Sequence, residues 1–276
     1  MIAASGDFPD FTGKVALITG AATGIGRAVA VAFASRGASV SIGDINEEAA
    51  RETVDLVRDA GGKALFLRTD VSQESDVEKL VAETARCFGR LDCAFNNAGI
   101  GPEDSDRKPL AELDTSGFDR LISVDLRGVF LCMKHELHVM VRAGGGAIVN
   151  TASVAGLVAE PGMAAYVAAK HGVIGLTKAA AIEYASRGVR INALAPGWVD
   201  TPLTAALGTD PVLNRRLRTA VPAGRPAQPG EMAGPVLFLC SNGASYVTGQ
   251  VHVADGAATV RGLFPADMVG MAPEAC

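Results

Sequence analysis

Tyr166 and Lys170 stand four residues apart in Tyr-Val-Ala-Ala-Lys, and Ser153 lies thirteen residues before the tyrosine. On a helix, a spacing of four is little more than one turn, so phenol and ammonium project from one face. A phenol titrates near ~10 in water. A cation held beside it favours the phenolate and lowers that value. Such a phenol can act as general acid or base near neutral pH. A nearby serine hydroxyl would hydrogen-bond a substrate oxygen as charge builds on it. Taken alone, the Tyr–Lys spacing is equally that of an ordinary helix pair, so the elements around it decide its meaning.

The first of those elements is near the start of the chain. Lys14-Val15-Ala16-Leu17-Ile18-Thr19 is a nearly continuous apolar run, the pattern of a strand buried on both faces. It runs into Gly20-Ala21-Ala22-Thr23-Gly24-Ile25-Gly26 and then into an alanine-rich stretch from Arg27 to Arg36 that stops at Gly37. A strand, a glycine turn and a helix start in succession can cradle a pyrophosphate. Glycine lets backbone approach closely, and the first N–H groups of the helix point at the anion. The spacing is G-x-x-x-G-x-G rather than the commoner G-x-G-x-x-G, and a plain tight loop is the alternative. The next apolar run, Ala38 to Gly43, leads to Asp44. A carboxylate there would accept from both adenosine ribose hydroxyls of NAD and repel the 2′-phosphate of NADP. No Lys or Arg occurs among Ala21, Ala22, Thr23 or Ile45 to offset it, which favours NAD over NADP. Asp44 could instead cap the helix starting near Glu47, although Asn46 already suits that role.

With these motifs in order, the chain resembles the short-chain dehydrogenase/reductase family from about Lys14 to Ala257. The matching positions are the turn from Thr19 to Gly26, Asp44, Asp70-Val71, Asn96-Asn97-Ala98-Gly99, Ser153, Tyr166, Lys170, Pro196-Gly197 and Thr201. The resemblance implies that Gly20, Thr23, Gly24, Ile25 and Gly26 contact the cofactor. It extends those contacts to Asp44, Ile45, Asp70, Val71, Asn97, Ala98, Gly99, Pro196, Gly197, Val199 and Thr201. By the same similarity Asp70 approaches the adenine amino group, with Val71 supplying a backbone contact. Thr201 would reach the nicotinamide carboxamide and Lys170 the nicotinamide ribose. Ser153, Tyr166 and Lys170 would be catalytic. The family also implies a homotetramer, partly through the alanine-rich helices bearing Asp125 and Tyr166.

One position departs from the family pattern. Asp125, in Ile122 to Phe130, stands where such enzymes usually carry an asparagine that completes a catalytic tetrad. In the family the backbone carbonyl of that residue holds a water linking the lysine to solvent, and a backbone role would survive the change. A side-chain role would not, because a carboxylate only accepts hydrogen bonds. A negative charge near Lys170 would partly cancel the pull on Tyr166 and push alcohol oxidation toward alkaline pH. Alternatively, Asp125 points away and is harmless.

Composition fits one soluble doubly wound α/β domain, a seven-stranded parallel sheet with helices on both faces. The chain has 276 residues, 49% hydrophobic and only 5% aromatic, with net charge −5 and no Lys/Arg block. Nucleic acid and anionic membranes are therefore not expected partners. No apolar run approaches the ~20 residues of a membrane span, and residues 1–11 lack the pattern of a secretory signal. Cys87, Cys93, Cys132, Cys240 and Cys276 share no C-x-x-C spacing; they suit a reducing cytoplasm. His135 and His138 are one residue too close for the H-E-x-x-H zinc motif and are expected on an exposed face. The acidic loop Glu103, Asp104 and Asp106 is expected to be a solvated turn, and no metal site is anticipated.

The periodicity predicts helices over 46–60, 118–141 and 163–186, and another capped by Ser72 that ends near Gly89. Strands are predicted at 64–67, 93–95, 147–150, 189–194 and 251–253, which puts Ser153 just past a strand's carboxyl end. Selectivity should reside in residues 154–163, with Leu157, Glu160 and Met163, and in a long loop over 198–225 with Trp198, Leu203 and Leu207. This lining favours a neutral, apolar or cyclic secondary alcohol or ketone, while Arg215, Arg216, Arg218 and Arg225 leave an acidic substrate open. The extension from 258 to 276 either packs on a neighbouring subunit or frays. Two other readings stay open: an NADPH-dependent ketoacyl-carrier-protein reductase, and a non-catalytic dinucleotide-binding regulator.

Overall fold

Seven short apolar runs form the strands of one sheet: β1 (Val15–Thr19), β2 (Ser39–Asp44), β3 (Ala64–Arg68), β4 (Cys93–Asn96), β5 (Gly146–Thr151), β6 (Val189–Pro196) and β7 (Val251–Ala254). The computed structural model describes residues 9–102, 107–205, 209 and 211–260, without the side chains of Leu213 and Arg216. Their order is β3-β2-β1-β4-β5-β6-β7, and every pairing is parallel. All five residues of β1 are buried, because helices cover both faces.

Successive residues of a strand face opposite ways, and β1 feeds two cores. Ile18 joins Val29, Phe33, Ile42, Phe95 and Leu237 on one face. This core lies under α1 (Gly24–Ala34), α2 (Glu47–Asp59) and a C-terminal helix over Ala233–Cys240. Leu17 joins Leu80, Val129, Met140, Ile148 and Val173 on the other. There the covering helices are α3 (Glu74–Phe88), α5 (Gly128–Arg142) and α6 (Ala164–Tyr184), with the short α4 (Thr115–Leu121) leading into α5.

Asn46 caps α2 as expected, its side chain accepting from Ala49 N at 3.1 Å. Ser72 does not cap α3. Its hydroxyl donates to Asp70 Oδ1 at 2.7 Å, and Gln73 occupies the cap position. The helix predicted over 118–141 is not continuous either: residues Ile122–Arg127 form a π-turn between α4 and α5. The wider i→i+5 turn takes in one extra residue, which periodicity alone does not register. The long loop expected over 198–225 contains a 3₁₀ turn, Pro202–Thr204, and a helix α7 (Pro211–Ala220). The C-terminal helix is thus α8 (Ala233–Cys240). The acidic loop 103–106, Leu207, the tail from 261 and Cys276 lie outside the described residues.

Candidate active site

The chain winds outward from β1 in two directions, β2 and β3 to one side and β4 to β7 to the other. At such a switch point the connections leave in opposite directions and open a crevice at the strands' carboxyl ends. A cleft of about 620 Å³ lies there, lined by residues that follow β1, β2, β3, β4, β5 and β6.

The turn after β1 forms its floor. Gly20 has φ +64°, and a Cβ there would lie 2.7 Å from Ala98 Cα, so only glycine lets the β1 and β4 loops meet. Asn97 cross-links the same two loops, donating from Nδ2 to Gly20 O at 2.9 Å. Thr19 Oγ1 accepts from the amides of Asn97 and Ala98 at 3.1 and 3.2 Å. Gly20, Thr23, Gly24 and Ile25 line the cleft, whereas Gly26 lies behind it. A Cβ at Gly26 would stand 2.1 Å from Gly20 O, so this glycine sets how closely α1 approaches β1.

Asp44, Ile45, Asp70 and Val71 line the side of the cleft beside β2 and β3. Asp44 Oδ2 accepts from Ala22 N at 2.8 Å and Oδ1 from Asn46 N at 2.9 Å, tying the glycine turn to the end of β2. It does not cap α2. Asp70 Oδ1 accepts from the amide and hydroxyl of Ser72. On the opposite wall are Asn97, Ala98, Gly99, Pro196, Gly197, Val199 and Thr201. The methyl carbon of Thr201 would meet a Cβ on Gly24 at 3.2 Å, so this threonine stands directly over the glycine turn.

Ser153, Tyr166, Lys170 and Asp125 all line one end of the cleft. Ser153 follows β5 and caps a 3₁₀ turn, its Oγ accepting from Ala155 N at 3.1 Å. Tyr166 and Lys170 share a face of α6, with Nζ 5.4 Å from the phenol ring centroid. Lys170 is 4% exposed and donates to Thr151 O at 3.3 Å. Asp125, fully buried, brings Oδ2 to 2.9 Å from Lys170 Nζ. The approach is oblique, making an ion pair rather than an aligned hydrogen bond. Burial pulls the Lys170 pKa down, but the charges of Asp125 and Tyr166 outweigh it and leave the ammonium above its ordinary value. Asp125 therefore points at the lysine, not away from it.

Other expectations fall elsewhere. Leu157 and Glu160 line a second surface cleft beside α6, with His171, and not the main one. Arg215 and Arg218 line a shallow depression on α7, and Arg225 pairs with Glu231 at 2.7 and 2.8 Å. His138 is exposed, but His135 is partly buried with Nε2 3.4 Å from Glu74 Oε1. Among the described residues no His/Cys/Asp/Glu group could hold a metal, and no helix is long and apolar enough to cross a membrane. Leu203 lines the cleft, as expected for a selectivity residue; the cleft also includes Thr69, Ser72, Ile100, Arg120, Ser123, Val124 and Thr151, which the sequence did not mark as site residues. Thr69 and Thr151 sit at or just past strand ends, where the motifs already named could have pointed to them.

A glycine floor at a helix start, a carboxylate at the end of β2 and a buried Lys beside a Tyr, all on one cleft, fit a nicotinamide dinucleotide. A family model described as enoyl-(acyl carrier protein) reductase matches residues 20–259. The chain is 47% identical over 249 residues to a cyclohexanol dehydrogenase of Acinetobacter sp. (strain SE19), covering 90% of this chain and 96% of that one. It is 46% identical to a cis-4-hydroxycyclohexanecarboxylate dehydrogenase of Sinomonas cyclohexanicum, covering 90% and 98%. Among solved structures, a levodione reductase superposes with a TM-score of 0.87 at 38% identity, covering 91% of this chain and all of that one. The chain belongs to the short-chain dehydrogenase/reductase family and is a nicotinamide-dependent oxidoreductase of CH–OH groups.

Proposed function

We propose that this enzyme interconverts a neutral cyclic secondary alcohol and its ketone with NAD, using Tyr166 as the acid/base. The observation that carries this reading is the Lys170 ammonium 5.4 Å from the Tyr166 ring, both facing the cleft that the glycine turn opens. In the oxidising direction Ser153 holds the substrate oxygen while Tyr166 takes its proton. Lys170 favours the phenolate that does so. When bound, the nicotinamide supplies the partner that accepts or returns the hydride. Thr201 and Lys170 orient the nicotinamide half, Asp44 and Ile45 the adenosine ribose, Asp70 and Val71 the adenine. Gly20, Thr23, Gly24 and Ile25 receive the pyrophosphate, and Asn97, Ala98, Gly99, Pro196, Gly197 and Val199 complete the wall.

The preference for NAD rests on Asp44 and on Arg27. The Arg27 guanidinium is engaged by Ala22 O, Ala49 O, Thr53 and Glu52, which withholds it from a 2′-phosphate. The neutral substrate rests on Arg215, Arg218 and Arg225 lying outside the cleft, which leaves Arg120 as the arginine that lines it among the described residues, and on the similarity to a cyclohexanol dehydrogenase; the ring alone is shared with the hydroxycyclohexanecarboxylate dehydrogenase, whose substrate is an anion. The test is NAD reduction followed spectrophotometrically over cyclic, aliphatic, sugar and steroidal alcohols, with cyclohexanol beside 4-hydroxycyclohexanecarboxylate. Turnover led by uncharged rings with NAD is expected. A strict NADPH requirement with carrier-bound ketoacyl substrates would overturn the reading.

A further inference from the structure

Asp125 meets two donors at once. Oδ1 accepts from Ile100 N at 2.8 Å, and Oδ2 faces the Lys170 ammonium at 2.9 Å. A Cβ on Gly99 would touch the same carboxylate at 3.2 and 3.4 Å, so the group is wedged between the loop after β4 and α6. The π-turn at Ile122–Arg127 carries the residue into this position. An amide would have one oxygen for these two donors. With its oxygen on the Ile100 amide, an asparagine would turn its NH₂ toward an ammonium; flipped, it would turn the NH₂ toward an N–H. A carboxylate accepts from the Ile100 amide with one oxygen and pairs with the ammonium through the other.

The groups facing the lysine are few. Asp125 approaches from the π-turn, Tyr166 from one turn back on α6, and the Thr151 carbonyl from the end of β5. Asp125 and Tyr166 are the charged or titratable groups that act on its charge. The ammonium thus lies between an anion and a phenol, and each competes for it.

We propose that Asp125 is the positioning residue of Lys170: anchored on the Ile100 amide, its carboxylate aims the ammonium beside Tyr166 and shares its charge, raising the pH at which the phenol ionises. The inference rests on the acid/base reading of Tyr166, but its test need not depend on turnover. Replacing the carboxylate by a neutral group leaves the whole ammonium charge to the phenol. In Asp125→Asn the Tyr166 midpoint should fall by about half a pH unit or more. The chain has three tyrosines, so tyrosinate absorbance of each protein minus that of its Tyr166→Phe counterpart isolates this one. The acid limb of kcat/KM for alcohol oxidation should move with it, giving about threefold higher kcat/KM one pH unit below the wild-type midpoint.

Asp125→Ser removes the same charge in less space and decides the matter should the amide variant not fold. Asp125→Glu, which restores the charge, should return the midpoint toward wild type. A midpoint unchanged in the neutral variants would overturn the proposal, as would one that rises. If the tyrosinate midpoint shifts while no alcohol is oxidised by the wild type, the ion-pair assignment stands and the proposed reaction falls.

Discussion

Tyr166 and Lys170 work as a pair because one helical turn brings them together and burial keeps water from screening the ammonium. Lys170 is 4% exposed, and an ion pair in such a setting acts through a lower dielectric than one at the surface. In the proposed reaction the phenol is the group that moves the proton. Tyr166→Phe should therefore lower kcat by ~10²–10⁴-fold while NADH binding, followed by fluorescence titration, stays close to wild type. Retention of most turnover would remove Tyr166 from the reaction. Asp44, elsewhere on the cleft, has a different proposed charge effect, on cofactor choice. Asp44→Ala should lower the ratio of kcat/KM with NAD to that with NADP by ~10-fold or more, since a lost carboxylate no longer repels a 2′-phosphate. Both proposed roles were drawn from the sequence, because each rests on residue type and short spacing, and the structure places both residues on the cleft. For Asp125 the sequence left two choices open, a charge beside Lys170 or a side chain turned away. Asp125 is 45 residues away, and only the fold brings the two within 2.9 Å.

Helix α5 carries a second buried carboxylate that the reaction does not use. Glu136 is fully buried, with Oε2 accepting from Asn96 Nδ2 at 3.0 Å and Oε1 buried without a hydrogen-bond partner. Burial raises its pKa from 4.5 to about 7, against the lowering effect of the Asn96 bond. Asn96 also bonds Asn150, its register partner on β5, and Asn150 bonds Thr177 on α6. This buried polar chain links β4, β5 and both helices beneath the site. The folded pKa exceeds the unfolded one, so folding retains a proton that the open chain releases between pH 4.5 and 7. Stability should consequently fall as pH rises through that window and level off above it. Glu136→Gln should abolish the slope, leaving stability near wild type at pH 4.5 and higher by about 1–3 kcal/mol at pH 8. Urea unfolding at several pH values measures it, and parallel wild-type and variant curves would refute it. In the sequence, Glu136 reads as one more polar position on an amphipathic helix, with no mark of its burial.

At the scale of the whole molecule, the parallel order of seven strands explains why so many separate motifs converge. Each motif follows a strand, and every strand ends at the same edge. Residues from position 20 to position 204 thereby line one cleft. Apolar side chains also remain on the outer surface. Phe130 on α5 is 46% exposed, and Ile182 on α6 is 82% exposed. A homotetramer with α5 and α6 packed against their copies, the assembly proposed from the family resemblance, would cover these side chains. Sedimentation equilibrium should give about four times the 28.3 kDa chain mass. Phe130→Glu should shift the protein to smaller species with its secondary structure retained. A monomeric wild type would contradict this assembly.

The strand–turn–helix opening, the carboxylate at the end of β2 and the Ser, Tyr and Lys positions were written in local order, since each needs only near neighbours to take its conformation. So was the alternation of apolar runs and helices that dictates a parallel sheet. What local order could not convey was where separate segments meet: the π-turn that directs Asp125 inward, the helix within the 198–225 segment, the partners of Arg27 and the dry surroundings of Glu136. Those depend on contacts between residues far apart in the chain, where burial and charge pairing follow from how the layers pack rather than from the residues' own preferences.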